Sequence, residues 1–248
     1  MSKRVLVTGN LGYIGSVLTP ILVERGYDVV GLDTCYFQEC ELGIDHSDIP
    51  VIDKDLRDLE PSDVEGFDGV IHLGALSNDP IGNLSEQWTE EINMNASVRL
   101  AELVKAAGTP RMLFSSSCIM YGMSETALVD ETSPLAPNTI YAESTVKAEQ
   151  AISRLADENF GPTFLRNGTV YGFSPRMRFD TVLNNFMGSA FTTGKVVVFS
   201  DGTPWRPVVH VEDVSNAFIT LLEAPFDVVG NQAFNVGVDH VNSQIGYL

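Results

Sequence analysis

The segment Thr8-Gly9-Asn10-Leu11-Gly12-Tyr13-Ile14-Gly15 joins a short apolar run, Val5-Leu6-Val7, to a stretch in which Ile14, Val17, Leu18 and Ile21 recur at helical spacing. A buried strand over Lys3–Thr8 must therefore turn directly into a helix over Tyr13–Arg25, despite Pro20. Gly9 suits the tight turn, Gly12 lets backbone approach a pyrophosphate, and Gly15 lets helix and strand pack closely. Unpaired N–H groups and the dipole at the helix start favour an anion there. A second strand, Asp28–Leu32, leads to Asp33, about 20 residues on, where a carboxylate accepts hydrogen bonds from an adenosine ribose. That carboxylate repels a 2′-phosphate, and Thr34-Cys35-Tyr36 brings no cation to offset it, so the expected cofactor is NAD rather than NADP.

Further strands are expected at Val51–Asp53, Val70–Leu73, Met112–Ser115 and from Phe164-Leu165, and helices at Glu86–Ala107, with Ser85 as N-cap, and Thr139–Leu155. Strands alternating with helices imply right-handed parallel units wound on both faces of one sheet. After Gly172 the rhythm loosens: a helix is expected over Phe179–Phe191, a strand over Val196–Phe199, a helix over Glu212–Leu222 and a last strand over Ala233–Val236. The fold expected is a doubly wound parallel Rossmann α/β sheet, residues 1–172 and 208–237. A small, incomplete C-terminal substrate lobe, 173–207 and 238–248, accompanies it. Within it, Asn10, Tyr13 and Ile14 share the glycine turn; Asp55 and Leu56 follow the third strand, facing adenine. Leu73, Gly74 and Ala75 follow the fourth strand and Ser115 ends the fifth; all are expected to touch the cofactor.

The chain has 248 residues and a net charge of −18, which disfavours a nucleic-acid or anionic-membrane partner. No apolar run approaches a membrane span, and the start reads into a strand rather than a leader, so a cytoplasmic protein is expected. Cys35, Cys40 and Cys118 are too few and irregular for a disulfide framework, and four histidines without ligand spacing give no metal site.

The glycine triplet is joined by Ser115-Ser116-Ser117, by Tyr121-Gly122, by Tyr141 in a Tyr-Ala-Glu-Ser helix, by Arg206–Asp213 and by Phe234-Asn235-Val236-Gly237. Together these resemble the extended short-chain dehydrogenase/reductase family, NAD-dependent epimerases and dehydratases of UDP- and dTDP-sugars, from Val5 to about Gly237. The resemblance implies a tyrosine base, Tyr141, and a hydroxyl-orienting serine, Ser117, which also touches substrate. A lysine four residues after the tyrosine would hold the nicotinamide ribose and lower the tyrosine pKa. Here that residue is Thr145. An opposite charge within about 4–6 Å moves a pKa by roughly 1–3 units, so its loss costs about 1.4–4 kcal/mol in forming phenolate. Lys147 lies six residues on, roughly 120° around the helix, and faces elsewhere.

The resemblance also implies substrate contacts from Thr169 (where the family often has Asn) and Arg206; Arg176 and Arg178 lie in the cleft-facing loop, where a guanidinium suits phosphate, and Asn184 either hydrogen-bonds substrate or faces water. It implies a homodimer through the helices around 86–107 and 139–155, and Asn93 as a scaffold residue. His72 and Asn78 fall near the cofactor, and His210 reads as structural. The family continues past its Asn-Val-Gly strand with elements that close over the diphosphate. With only Val238–Leu248 following here, an open cleft, completion by a partner or a smaller ligand is expected. Two functions remain open: a nucleotide-sugar oxidoreductase, or an NAD-binding sensor, scaffold or partner subunit impaired by Thr145.

Overall fold

The computed structural model describes residues 2–43, 48–77, 82–122, 128–198, 205–237 and 242–244. Asn78 lies outside them, as do Phe199 and most of the tail after Gly237.

Seven parallel strands form the main sheet, β1 (Arg4–Thr8), β2 (Asp28–Asp33), β3 (Val51–Asp53), β4 (Gly69–His72), β5 (Arg111–Ser117), β6 (Gly161–Asn167) and β9 (Ala233–Val236). Their spatial order is β3-β2-β1-β4-β5-β6-β9. Alternate residues of each strand feed opposite cores. Leu6, Val30, Val70, Met112 and Phe164 pack on the side holding Leu100, Val104, Ala148 and Ile152. Val5, Val7, Val29, Ile71, Leu113 and Leu165 pack against Leu18, Leu22, Phe218 and Ile219. The helices that cover these faces are α1 (Gly15–Glu24), α2 (86–106), α3 (Ile140–Ser153) and α5 (Val211–Glu223). The strand order reverses between β1 and β4, where crossovers leave to opposite faces and a crevice opens at the strand ends.

A smaller sheet joins β7 (Thr169–Tyr171) in parallel to β8 (Trp205–His210), which pairs antiparallel with β10 (Asn242–Gln244). Helix α4 (Val182–Thr193) lies between β7 and β8, and a short helix, α6 (Phe226–Val229), precedes β9. The strand expected over Val196–Phe199 does not form: Val196, Val197 and Val198 are without regular structure and exposed. An apolar triplet alone does not make a strand where no neighbouring ladder accepts its backbone, and β8 takes the place beside β7 instead.

Helix α2 also departs from the uninterrupted form expected. Its middle, Glu90–Ala96, is a π-helical stretch. Asn93 sits in it, buried, and clamps the loop after β4 by accepting from Leu76 N at 2.8 Å and donating to Leu76 O at 3.0 Å. Such bulges re-aim a side chain that a regular helix would place elsewhere.

His72 closes the switch point from below. Its Nδ1 shares a hydrogen bond of 2.6 Å with Thr8 Oγ1 on β1, and its Nε2 one of 2.8 Å with Ser97 Oγ on α2. Burial depresses its pKa from 6.5 to about 4, so the ring is neutral in the fold. Between pH about 6.5 and about 4 the unfolded chain takes up a proton that the folded chain refuses, and stability falls as pH falls through that window. In denaturant titrations His72→Gln should flatten this acid slope relative to the parent by roughly 3 kcal/mol across the window.

Candidate active site

The turn from β1 into α1 is built by backbone contact. Gly9 holds φ +71°, and a Cβ there would lie 2.8–2.9 Å from the backbone of Gly74 and Leu73. A Cβ on Gly15 would stand 2.2 Å from the Gly9 carbonyl oxygen. Helix α1 begins without a side-chain cap; Ser16 N bonds Gly12 O at 3.0 Å and Val17 N bonds Ile14 O at 3.1 Å, and the dipole at the helix start favours an anion. Asn10 is buried with its side chain packed under Gly31, so it anchors the turn from inside. Ile14 is the N-cap residue of α1. Tyr13 donates its phenolic hydrogen to Gly172 O at 2.7 Å and accepts from Asn184 Nδ2 at 3.0 Å. Burial raises its pKa, against the pull of Asn184 and Arg178.

Asp33, at the end of β2, accepts from Leu11 N and from Cys35 N, each at 3.2 Å. Burial raises its pKa, while those backbone bonds and Arg176 draw it down. Arg176 comes from 143 residues downstream. Its guanidinium stacks over Phe37 at 4.3 Å, and Leu42 N bonds Pro175 O at 2.8 Å. The local expectation of no cation near Asp33 is therefore corrected: the neighbour in space is not one in sequence. Asp55 caps the turn Leu56–Asp58 and is held in a fork by Arg57 at 3.0 and 2.8 Å, which keeps its pKa low. Leu56 is buried against Gly74.

Tyr141 stands in the first turn of α3, capped by Thr139 Oγ1, which accepts from Ala142 N at 3.2 Å. The side chains of Ser117, at the end of β5, and of Thr145 both act to lower the pKa of its phenol. Burial pushes its pKa up, and the field of Arg178 is the largest influence drawing it back. Thr145 donates its hydrogen to Tyr141 O at 2.9 Å. A hydroxyl has a single hydrogen, which Thr145 either gives to that carbonyl or turns toward the phenol; in neither case does it bring a charge. Lys147 is exposed. Tyr141 and Thr145 line a small cavity of about 20 Å³ with Leu73, Gly74, Ala75 and Ser115, which brings these expected cofactor contacts to one place.

The expected substrate contacts are scattered. Thr169 is half-buried at the start of β7, paired with Val208. Asn184 is buried, its amide engaged by Gly172 N, Arg178 O and Tyr13. Arg206 lies in β8 opposite Ser243, and its side chain is outside the described residues. His210 caps α5 and packs edge-on against Tyr171 at 5.4 Å, a structural position.

One network escaped sequence reading. Arg166, buried in β6, pairs with Glu149 Oε1 on α3 at 2.5 Å and donates to Tyr121 OH at 2.8 Å; Tyr121 in turn donates to Asn235 Oδ1 at 2.7 Å. Ser116, next to Ser117, donates to Glu149 Oε2 at 2.8 Å. The signal was an arginine inside an otherwise apolar strand, which is tolerated only when paired. Among the described residues there is no metal-ligating cluster and no helix long and apolar enough to cross a membrane.

The glycine turn and the Asp33 carboxylate at the end of β2 have the composition expected of a dinucleotide site. Asp33→Ala should weaken NAD binding by about tenfold to a hundredfold in calorimetric titration, the loss expected for hydrogen bonds to a charged acceptor. Unchanged affinity would remove Asp33 from the site.

Residues 5–237 match the NAD dependent epimerase/dehydratase family. The chain is 28% identical to UDP-glucose 4-epimerase of Bacillus subtilis, over 94% of this chain and 76% of that protein. It is 29% identical to the enzyme of that name from Lactobacillus helveticus, over 99% and 79%. Among solved structures it resembles TunA, an NAD-dependent NDP-hexosamine 5,6-dehydratase of tunicamycin biosynthesis, with a TM-score of 0.85 and 25% identity over 95% of this chain and 76% of that one. It also resembles MoeE5 in complex with UDP-glucuronic acid and NAD, with a TM-score of 0.82 and 29% identity over 95% and 76%. With the cradle, the carboxylate and the Ser117–Tyr141 pair in one crevice, this match places the chain in the NAD-dependent epimerase/dehydratase family.

Proposed function

We propose that the protein is an NAD-dependent oxidoreductase of the epimerase/dehydratase type that acts on a UDP- or dTDP-linked sugar. The observation that carries this reading is Tyr141, in the first turn of α3, lining one cavity with Ser115 of β5 and with the loop from Leu73 to Ala75 that abuts the glycine turn.

In this reading Ser117 orients a sugar hydroxyl and Tyr141 takes its proton. Gly9, Gly12 and Gly15 hold the cofactor diphosphate, and Asp33 its adenosine ribose. Bound NAD supplies a transient hydride acceptor, so turnover is redox-neutral. Thr145 positions Tyr141 through its backbone carbonyl but contributes no charge, and the rate suffers accordingly. Thr169, Arg176, Asn184 and Arg206 stand on the substrate side, Asn184 through the loop it holds. Residues 1–172 and 208–237 form the cofactor half; 173–207 with 238–248 form the substrate lobe. A homodimer through α2 and α3 is supported by Trp88, 58% exposed on the first turn of α2. A cytoplasmic setting is supported by three cysteines that carry thiols.

The test is a panel of UDP- and dTDP-sugars with purified, NAD-loaded protein, read as interconversion or dehydration without net accumulation of NADH. Tyr141→Phe should abolish turnover. Thr145→Lys should raise it by one to three decades, the rate equivalent of the restored charge. If no sugar nucleotide binds or reacts with the parent or with the lysine variant, the reading fails.

A further inference from the structure

The catalytic helix brings no cation to Tyr141, while another element carries one to the loop that shares its cavity. Strand β7 ends at Tyr171, and the chain then runs through residues 172–181 across the mouth of the crevice to α4. This loop is tied at several points. Gly172 O accepts from Tyr13 OH, and Ser174 Oγ donates to Tyr13 O at 2.8 Å. The buried Asn184 accepts from Gly172 N at 3.0 Å and donates to Arg178 O at 2.9 Å. The backbone of Arg178 is thus positioned by the same side chain that meets Tyr13.

The guanidinium continues inward. It donates to Ser77 Oγ at 3.0 Å and to Ser77 O at 3.3 Å, and it is forked by Asp180 at 3.0 and 2.6 Å. Ser77 lies in the run after β4 whose earlier residues, Leu73 to Ala75, share a cavity with Tyr141. The Arg178 side chain is three-quarters buried, whereas Asp180 is the more exposed partner, so the carboxylate lies on the water side of the pair. A pair serving only the surface would leave both groups in solvent, where it contributes little. This one joins the loop of residues 172–181 to Ser77, one residue beyond Leu76, which Asn93 of the Tyr141 cavity clamps.

We propose that Arg178 is the positive charge that serves Tyr141 in place of the lysine absent at position 145, delivered by the loop from the substrate lobe rather than by the catalytic helix. The inference rests on the reading of Tyr141 as the base. Arg178 acts through Tyr141 and is a positioning residue. Its field bears on both Tyr141 and Tyr13. The other titratable groups facing Tyr141 cannot supply the charge. Cys118, from the turn after β5, acts in the opposite sense. His72, from β4, is neutral, and α2 presents the uncharged Asn93 and Ser97 to the shared cavity. Asp180 offsets part of the charge, so the benefit falls at the lower end of what a nearby cation confers.

The experiment uses the NAD-loaded protein and two readouts. Turnover of the active sugar nucleotide is followed against pH. Separately, the Tyr141 phenol is titrated by ultraviolet difference absorbance against Tyr141→Phe, which requires no turnover. Arg178→Gln should lower turnover at neutral pH about tenfold, a deficit that closes as pH rises, with KM little changed. Its phenol titration should move to higher pH. Arg178→Lys should retain most of the effect, and Asp180→Asn should move both curves to lower pH. A phenol titration unmoved in Arg178→Gln and Asp180→Asn overturns the proposal, as does a loss of turnover equal at every pH. Should Arg178→Gln not fold, Asp180→Asn alone decides, an unmoved curve being the negative result. A chain inactive on every sugar nucleotide would defeat the proposed function while leaving the optical titration to judge Arg178.

Discussion

The contact between the Gly15 position and the Gly9 carbonyl holds the crevice in shape. With no side chain at either residue, the first strand and first helix close to a separation that a single methyl group would forbid. That closeness forces the turn against the backbone of Leu73 and Gly74, and so sets the ends of β1 and β4 side by side at the switch point. His72 and Thr8 then meet across the same seam, and Ser97 locks α2 onto it. The loop after β4, clamped by Asn93, leads to the cavity where Tyr141 and Thr145 project. The glycine turn and the cavity lined by Tyr141 and Thr145 are therefore parts of one packed seam.

The electrostatics of that seam are dominated by burial. His72 is kept neutral and the phenol of Tyr141 is pushed toward its protonated form. A buried acid that must ionise needs a partner. Residue 145 supplies a hydroxyl but no charge. Against that burial, the influences that lower the Tyr141 pKa are the charge of Arg178, from outside its own helix, and then the side chains of Ser117 and Thr145. Elsewhere the protein shows the opposite arrangement: Arg166 and Glu149 are buried as a complete pair, with Ser116 and Tyr121 satisfying the remaining oxygens and hydrogens.

Much of this was legible in the residues. The alternation of apolar strands and helices announced a two-faced parallel sheet, because each strand had to feed two cores. The glycine turn was readable because its chemistry is local. What could not be read depended on contacts between distant segments. Arg176 stands at Phe37 and Asp33, a proximity created by folding alone. Asn184, read as a substrate contact, is consumed in joining Gly172, Arg178 and Tyr13. Val196 to Val198 have the composition of a strand and lack a ladder to join. The π-helical stretch in α2 leaves no mark in periodicity strong enough to separate it from an ordinary helix.

The bond from Tyr13 to Gly172 spans 159 positions of sequence and joins the coenzyme's turn to the loop that enters the lobe. A protein wired in this way is not assembled from interchangeable modules. Transplanting a lobe from a relative would sever the tether unless the recipient loop presented the same carbonyl, and retention of the dinucleotide would then change along with sugar preference. Attempts to retarget such a scaffold are better begun with Tyr13, Gly172 and Asn184 treated as a single unit of inheritance.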